Sequence, residues 1–193
     1  IREQRVQVLD NLFRYTDARS NSGDYDVIQF NSQIKGRSNK RNINAALNIS
    51  TKDLMILGVS VIELSREHKL IIHPYSGRVV VQKNRDFIVN GIVSVGKGPR
   101  ISFSGKEIRF HYDDFKIDLN KIDYIDISVP ITPKKLDDMG NEILTRVKTT
   151  IHQVTGEIKI DHPNNKSGGF LKATFPGYPK FRSIEDSYVY YDK

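Results

Sequence analysis

The amino-acid sequence predicts a mainly β protein with one helix at its N-terminus. From about residue 25 onward, apolar residues recur at every second position, which is the period of a half-buried strand. Short stretches rich in Gly, Asn, Ser and Pro separate these alternating runs, as turns do. We therefore expect an elongated curved sheet or a β-solenoid-like body, with a β-sandwich as the alternative.

Helical periodicity is confined to residues 1–20. Val6, Leu9 and Phe13 follow the spacing i, i+3 and i+7, which places them on one face of an amphipathic helix. Turn-forming residues at 21–24 would end this helix. A lone helix of this length is marginal in water, so we expect it to pack on the β body as a cap.

About ten short strands are predicted after the helix, from the twelve apolar or alternating runs given at the end of this paragraph. Ile108 and Phe110 alternate with Arg109, so one face of that strand is apolar and the other is polar. Asn90 and Gly91 form a pair that favours a tight turn between two strands. The predicted strands cover residues 27–31, 43–49, 70–73, 79–81, 87–89, 92–95, 101–103, 108–112, 115–119, 125–129, 147–154 and 158–160.

Three glycines recur at a regular spacing within this series. Gly77, Gly91 and Gly105 are 14 residues apart, and each follows a small polar residue. Gly156, which follows Thr155, repeats the pattern later in the chain but does not fit the 14-residue spacing. Regular turns of this kind suit a β-solenoid, in which each coil stacks on the next. A meandering sandwich also turns at short intervals, so both architectures stay open.

The chain divides into three predicted regions. Residues 1–20 form the helix, residues 21–161 form the β-rich body, and residues 162–193 form an extension rich in aromatic residues and proline. Proline favours extended backbone, so we expect the aromatic residues to hold this extension on the body. The last residues have the composition of a strand and the chain opens on Ile1. We therefore expect a fragment whose extension continues into a missing segment.

Composition excludes several classes of protein. No apolar run approaches the roughly 20 residues that a membrane-spanning helix needs, so no transmembrane segment is predicted. The absence of Cys excludes disulfides, thiolate metal sites and Cys nucleophiles. A net charge of +7 makes nucleic acid or an acidic partner worth testing.

The densest basic stretch is a candidate binding patch. Lys35, Arg37, Lys40 and Arg41 lie close together with no acidic residue between them. Such a patch can contact phosphate groups, although a solvated turn is the simpler interpretation. No catalytic residue, metal site or cofactor is predicted, because the acidic residues between 113 and 126 lack the spacing of an EF-hand loop.

A metal-dependent nuclease is the alternative with a defined site. Glu157 and Lys159 match the Glu-x-Lys half of such a site, with Asp126 or Asp118 as the second metal ligand. Lys159 would then stabilise the attacking hydroxide. However, two oppositely charged residues at this spacing on a strand also point to the same side and pair. Nuclease folds of this kind also need flanking helices, of which the sequence predicts one.

Several segments resemble very large uncharacterised envelope proteins of Bacteroidetes-type bacteria. The resemblance covers roughly residues 25–193. The segments that carry it are FIVNGIVSVG at 87–96, ISFSGK at 101–106, FHYDDFKIDL at 110–119, PNNKSG at 163–168, YPKF at 178–181 and YVYYDK at 188–193. This resemblance implies an internal piece of a long envelope protein and implies no catalytic residue.

We therefore predict a non-catalytic structural or protein-interaction module of a larger extracytoplasmic bacterial protein. Its location would be the periplasm or the cell envelope. Its partner would be another protein or a neighbouring domain of the same chain, bound through a sheet edge or face. The alternative is a nucleic-acid-binding protein or a metal-dependent nuclease.

The two hypotheses predict different behaviour with short DNA and RNA. For an interaction module we expect no change in fluorescence polarisation of labelled single- or double-stranded probes at low salt, with or without magnesium. Tight binding that falls steeply with salt would instead support a nucleic-acid-binding protein. Probe cleavage that is lost in Glu157→Gln would identify a nuclease.

Overall fold

The computed structural model describes residues 4–9, 12–17, 26–32, 45–98, 100–166, 168, 174–186 and 188–189. These residues contain fifteen strands and no helix, which confirms the mainly β fold class. The strands are β1 (Gln4–Leu9), β2 (Leu12–Asp17), β3 (Asp26–Ser32), β4 (Ala45–Leu47), β5 (Leu54–Ile56), β6 (Val59–Ser65), β7 (Leu70–Pro74), β8 (Val79–Val81), β9 (Phe87–Val95), β10 (Ile101–His111), β11 (Lys116–Pro130), β12 (Leu144–Arg146), β13 (Ile151–Lys159), β14 (Lys180–Ser183) and β15 (Tyr188–Val189).

The N-terminal helix expected over residues 1–20 is wrong for the residues that the structure describes there. β1 and β2 form an antiparallel pair in which Leu9 lies opposite Leu12. β2 continues the sheet by pairing with β3, and β3 pairs with β6. Val6 and Val8 fit the period of a strand as well as that of a helix. Pairing with a sheet supplies the long-range hydrogen bonds that an isolated helix would lack.

The strands form one open antiparallel sheet. Its main path runs β1-β2-β3-β6-β7-β9-β10-β11-β13-β14, and β8, β5 and β4 branch from the beginning of β9. A β-solenoid joins its coils through parallel strands. Every pair among the described strands is antiparallel, so these residues form a meandering sheet and give no solenoid coil.

A crease crosses the sheet at Gly91, Gly105 and Gly156. Gly91 pairs directly with Gly105, so the 14-residue spacing reflects two facing positions of one hairpin. At each of the three glycines, an added Cβ would lie closer than 3.0 Å to a carbonyl oxygen of the adjoining strand. Gly77 lies elsewhere, against the backbone of Gly58. The regular spacing therefore marks close backbone approach and not a repeated coil.

The tight turn expected at Asn90–Gly91 is wrong, because both residues lie inside β9. The Asn90 side-chain oxygen accepts a hydrogen bond of 2.9 Å from the Glu107 backbone N–H. Glu107 lies where β10 changes register against β9, and its φ is 53°. The Asn90 side chain thus provides a hydrogen-bond acceptor for the Glu107 N–H, which the register shift leaves without a partner in the neighbouring strand.

One face of the central strands forms the hydrophobic core. Ile108 and Phe110 of β10 and Ile117 of β11 are fully buried, as the alternation predicts. The Phe87 and Phe110 rings stack at 4.9 Å between centroids, and the Phe115 ring meets Phe110 edge-on at 6.2 Å. This aromatic cluster fixes which face of the sheet is buried, and so leaves the opposite face for polar side chains.

The C-terminal extension packs on the sheet. β14 pairs with β13, and the Phe181 ring lies 5.0 Å from the Phe103 ring. β15 also pairs with β13, and the continuation of the extension into a missing segment stays a prediction. A buried contact of 2.9 Å joins His68 Nε2 to Asp161 Oδ2. The division of the chain at residues 20 and 161 stays a prediction.

Substitution of Gly105 by Ala tests the crease. We expect the free energy of unfolding to fall by about 1–3 kcal/mol, because the new methyl group would overlap the backbone of β11. Urea denaturation measures the change. Ser102→Ala in the same strand is the control, since it removes one hydroxyl that contacts Ser94 at 3.3 Å. Equal urea midpoints for both variants would contradict the close approach.

Candidate interaction surface

The outer face of β10, β11, β13 and β14 carries two rows of charged side chains, here called the charged face. Residues directly opposite one another on neighbouring strands share a face of the sheet. The first row is Arg109, Asp118, Glu157 and Arg182. The second row is His111, Lys116, Lys159 and Lys180. Five of these eight residues are Lys or Arg and two are acidic, so the charged face is basic.

The centre of the charged face is a connected ion-pair network. His111 contacts two carboxylates, with Nδ1 3.2 Å from Asp86 Oδ2 and Nε2 2.7 Å from Asp118 Oδ2. Lys116 Nζ lies 3.0 Å from Asp118 Oδ1 and 3.7 Å from Glu157 Oε2. Asp118 and Glu157 therefore both face the Lys116 ammonium group, and the excess positive charge lies towards β14.

The electrostatics of Lys116 follow from this network. Burial alone lowers the pKa of its ammonium group, since it disfavours the charged form. The hydrogen bond to Asp118 and the charges of Asp118, Glu157 and Asp114 outweigh burial, so the pKa of Lys116 is raised. A raised pKa in the folded state contributes stability at neutral pH, and this contribution is lost as the pH rises through that pKa.

Of the two acidic residues considered as the second ligand of a nuclease site, Asp118 lies directly opposite Glu157, whereas Asp126 does not. Glu157 Oε1 lies 4.0 Å from Lys159 Nζ, which is the pairing that their spacing allows. Asp126 lies opposite Ser102, across the crease from Glu157, and pairs with Arg146. Among the described residues, no three His, Cys, Asp or Glu side chains form a group that could hold a metal ion. The basic patch at Lys35, Arg37, Lys40 and Arg41 lies outside the residues that the structure describes.

The buried His68–Asp161 pair has the chemistry of two members of a hydrolytic triad. The Asn165 amide donates to Asp161 Oδ2 at 3.0 Å, and the His162 backbone N–H donates to Oδ1 at 2.6 Å. The nearby Ser65 Oγ accepts a hydrogen bond from the His68 backbone N–H at 3.2 Å. Ser65 therefore contacts the backbone of His68, and the arrangement holds two loops together.

Strand β14 ends the main path of the sheet and all four of its residues are exposed. The Ile184 N–H donates to the Thr155 carbonyl at 2.9 Å, and the Arg182 carbonyl faces Gly156. Because alternate residues of an antiparallel strand bond to the same neighbour, the backbone groups of Phe181 and Ser183 point away from β13. No described strand lies on that side of β14.

This edge was missed by the sequence reasoning. The sequence gives Lys180 and Arg182 at alternating positions, with Phe181 between them. That pattern indicates a strand with one charged and one apolar face. Nothing in the pattern indicates that the strand is the last in its sheet, because strand order depends on pairing with residues far away in the chain.

The fold and surface define an open antiparallel β-sheet protein with a basic face and an exposed edge strand. No family model matches the chain, and neither a curated protein nor a solved structure matches it. The resemblance to large bacterial envelope proteins therefore stays a prediction. Within the part of the chain that the structure describes, no helix is long and apolar enough to cross a membrane.

Substitution of Asp118 by Asn tests the ion-pair network. We expect the pKa of Lys116 to fall, because the carboxylate that favours its charged form is replaced by a neutral amide. The chemical shift of the Lys116 side-chain carbon next to Nζ, followed by NMR as the pH rises, measures this pKa. Asp126→Asn is the control and leaves the titration unchanged. An unchanged titration in Asp118→Asn would contradict the network.

Proposed function

We propose that this protein is a non-catalytic protein-interaction module that binds an extended acidic segment by strand addition to β14. The outward backbone groups of Phe181 and Ser183 carry this proposal. An exposed strand edge offers a row of donors and acceptors to which another chain can pair.

Charge would select the partner. Lys180 and Arg182 lie on the outer face of β14 and both are exposed. A strand paired to β14 would place side chains directly opposite these two cations, where opposite charges stabilise the pair and like charges destabilise it. Lys159 adds a third positive charge one strand further in. Acidic residues at alternating positions of the incoming strand complement this pattern.

The same charges account for how the free edge avoids indiscriminate pairing. Lys and other charged residues on an edge strand oppose the addition of a second copy of that strand, because two cations would then face each other. Two β14 edges that pair antiparallel about Phe181 or Arg182 would bring Arg182 of one chain against Lys180 or Arg182 of the other. The edge is therefore suited to a partner of opposite charge and not to self-association.

The biological setting belongs to the same proposal. The resemblance to large envelope proteins of Bacteroidetes-type bacteria supports an extracytoplasmic location, in the periplasm or the cell envelope. In such a protein the acidic strand would come from a partner protein or from a neighbouring domain of the same chain.

Nucleic-acid binding is the second candidate function. Arg109, Lys116, Lys159, Lys180 and Arg182 share the charged face, and a basic face can bind phosphates. Asp118 and Glu157 lie among these cations and pair with Lys116, which reduces the charge offered to a phosphate backbone. The network therefore favours a partner that approaches the β14 side.

Peptide binding tests strand addition. We expect a short peptide that alternates Glu with Thr to bind, and a Lys-for-Glu version to bind about tenfold more weakly. Two cross-strand charge pairs, each worth roughly 0.2–1 kcal/mol, account for a difference of this size. Fluorescence polarisation of labelled peptides at low salt measures both affinities. Lys180→Glu combined with Arg182→Glu should reverse the preference.

Two controls separate strand addition from simple charge attraction. A peptide of the same composition with its Glu residues in adjacent pairs should bind more weakly, since half of its charges would face the wrong side. Ser183→Pro should abolish binding, because it removes an outward N–H donor while sparing the backbone hydrogen bonds to β13. Undiminished binding by Ser183→Pro would sink the proposal.

A further inference from the structure

A row of apolar side chains crosses the core face of the sheet and ends at β14. Its members lie directly opposite one another on neighbouring strands, so they share one face of the sheet. This set, here called the apolar row, takes one residue from each of β9, β10, β11, β13 and β14: Phe87, Phe110, Ile117, Ile158 and Phe181. The first four are buried, whereas Phe181 is 39% exposed. The apolar row therefore ends in an aromatic side chain that solvent reaches.

Contacts with the sheet hold the inner side of the Phe181 ring. The Phe103 ring, on β10, lies 5.0 Å from it between centroids. A Cβ atom added to Gly156 would lie 2.9 Å from Phe181 Cε2, so the ring covers β13 at a position that has no side chain. No described strand pairs with the other edge of β14. The contacts of the ring thus lie on its β13 side, and its side towards the free edge is left open.

Two cations flank Phe181 along β14. Lys180 and Arg182 precede and follow it, and both are exposed on the charged face. A strand paired to β14 would place one side chain opposite Phe181 on the core face. Its two adjacent side chains would lie opposite Lys180 and Arg182 on the charged face. Aromatic pairs at opposite positions stabilise a sheet, as opposite charges do, so three consecutive residues of the partner can be matched to β14.

We propose that the partner strand carries an acidic–aromatic–acidic triplet, with its aromatic side chain opposite Phe181. This inference rests on the proposed strand addition to β14 and adds the residue that fixes the register of the partner. A strand that carries only alternating charges can shift by two residues and still place acidic side chains opposite the two cations. A single aromatic residue removes that ambiguity, because one register alone places it against the Phe181 ring. Phe181 is therefore a specificity-determining residue of the edge.

Pairs of peptides test the triplet on the unaltered protein. The first pair is the peptide that alternates Glu with Thr and a version whose central Thr is replaced by Phe. We expect the Phe version to bind about fivefold more tightly, because its ring packs on that of Phe181. In the second pair, the central residue and one neighbouring Glu are exchanged, which turns the central residue to the charged face. Phe should then give a smaller gain over Thr. Fluorescence polarisation at low salt measures all four affinities.

Two protein variants test whether the gain depends on the Phe181 ring. In Phe181→Thr, the two peptides of the first pair should bind with affinities within about twofold of each other, because no ring faces the peptide Phe. Ile184→Thr removes another exposed apolar side chain, which directly follows β14, and should keep the preference for Phe. The ratio of the two affinities is taken within one variant, so a change in overall affinity does not alter it.

The outcomes separate this inference from the strand addition on which it rests. If neither peptide of the first pair binds the unaltered protein, strand addition itself is contradicted. If both bind equally, or if Phe gives the same gain in both pairs, only the aromatic residue opposite Phe181 is overturned, and these comparisons decide even where Phe181→Thr does not fold. A preference for Phe that persists in folded Phe181→Thr overturns it as well. Self-association without peptide, measured by analytical ultracentrifugation and lost in Phe181→Thr, would assign the edge to a second copy and overturn the triplet.

Discussion

Gly91 of β9 pairs with Gly105 of β10, and neither residue has a Cβ atom. The backbone of β7 therefore comes close to Gly91, and the backbone of β11 comes close to Gly105. Register shifts at the same level bend the strands, as β-bulges do. The charged face lies on one side of this crease. A Cβ at the crease would therefore disturb the placement of the charged face.

The charged face contributes little to the stability of the fold, and under the proposed strand addition its main effect would be on the choice of partner. Its side chains are half-buried or exposed, and ion pairs of this kind typically stabilise a fold by about 0–1 kcal/mol each. The core beneath them is formed by Phe87, Phe110 and their aromatic neighbours, and it stabilises the fold whatever charges lie above it. Substitutions among the charges of this face are therefore expected to leave the fold intact.

The sequence predicts the mainly β class and which residues of the central strands are buried, because alternation of apolar and polar residues is a local property. Ile108, Phe110 and Ile117 are buried as their spacing indicates. The spacing is ambiguous at Val6, where a short apolar pattern satisfies both helix and strand. The glycine spacing and the edge position of β14 depend on which distant strands pair, and a single sequence does not encode that pairing in any local pattern.

The contact between His68 and Asp161 joins residues that are 93 positions apart in the chain. Most other contacts of this meander join neighbouring strands across short turns, which close at little entropic cost. The entropy lost in closing a loop grows with its length, so this contact carries a larger closure cost than a hairpin does. During folding, the hairpins can therefore form independently. The contact between His68 and Asp161 must wait until the sheet between these two residues has formed and brought them together.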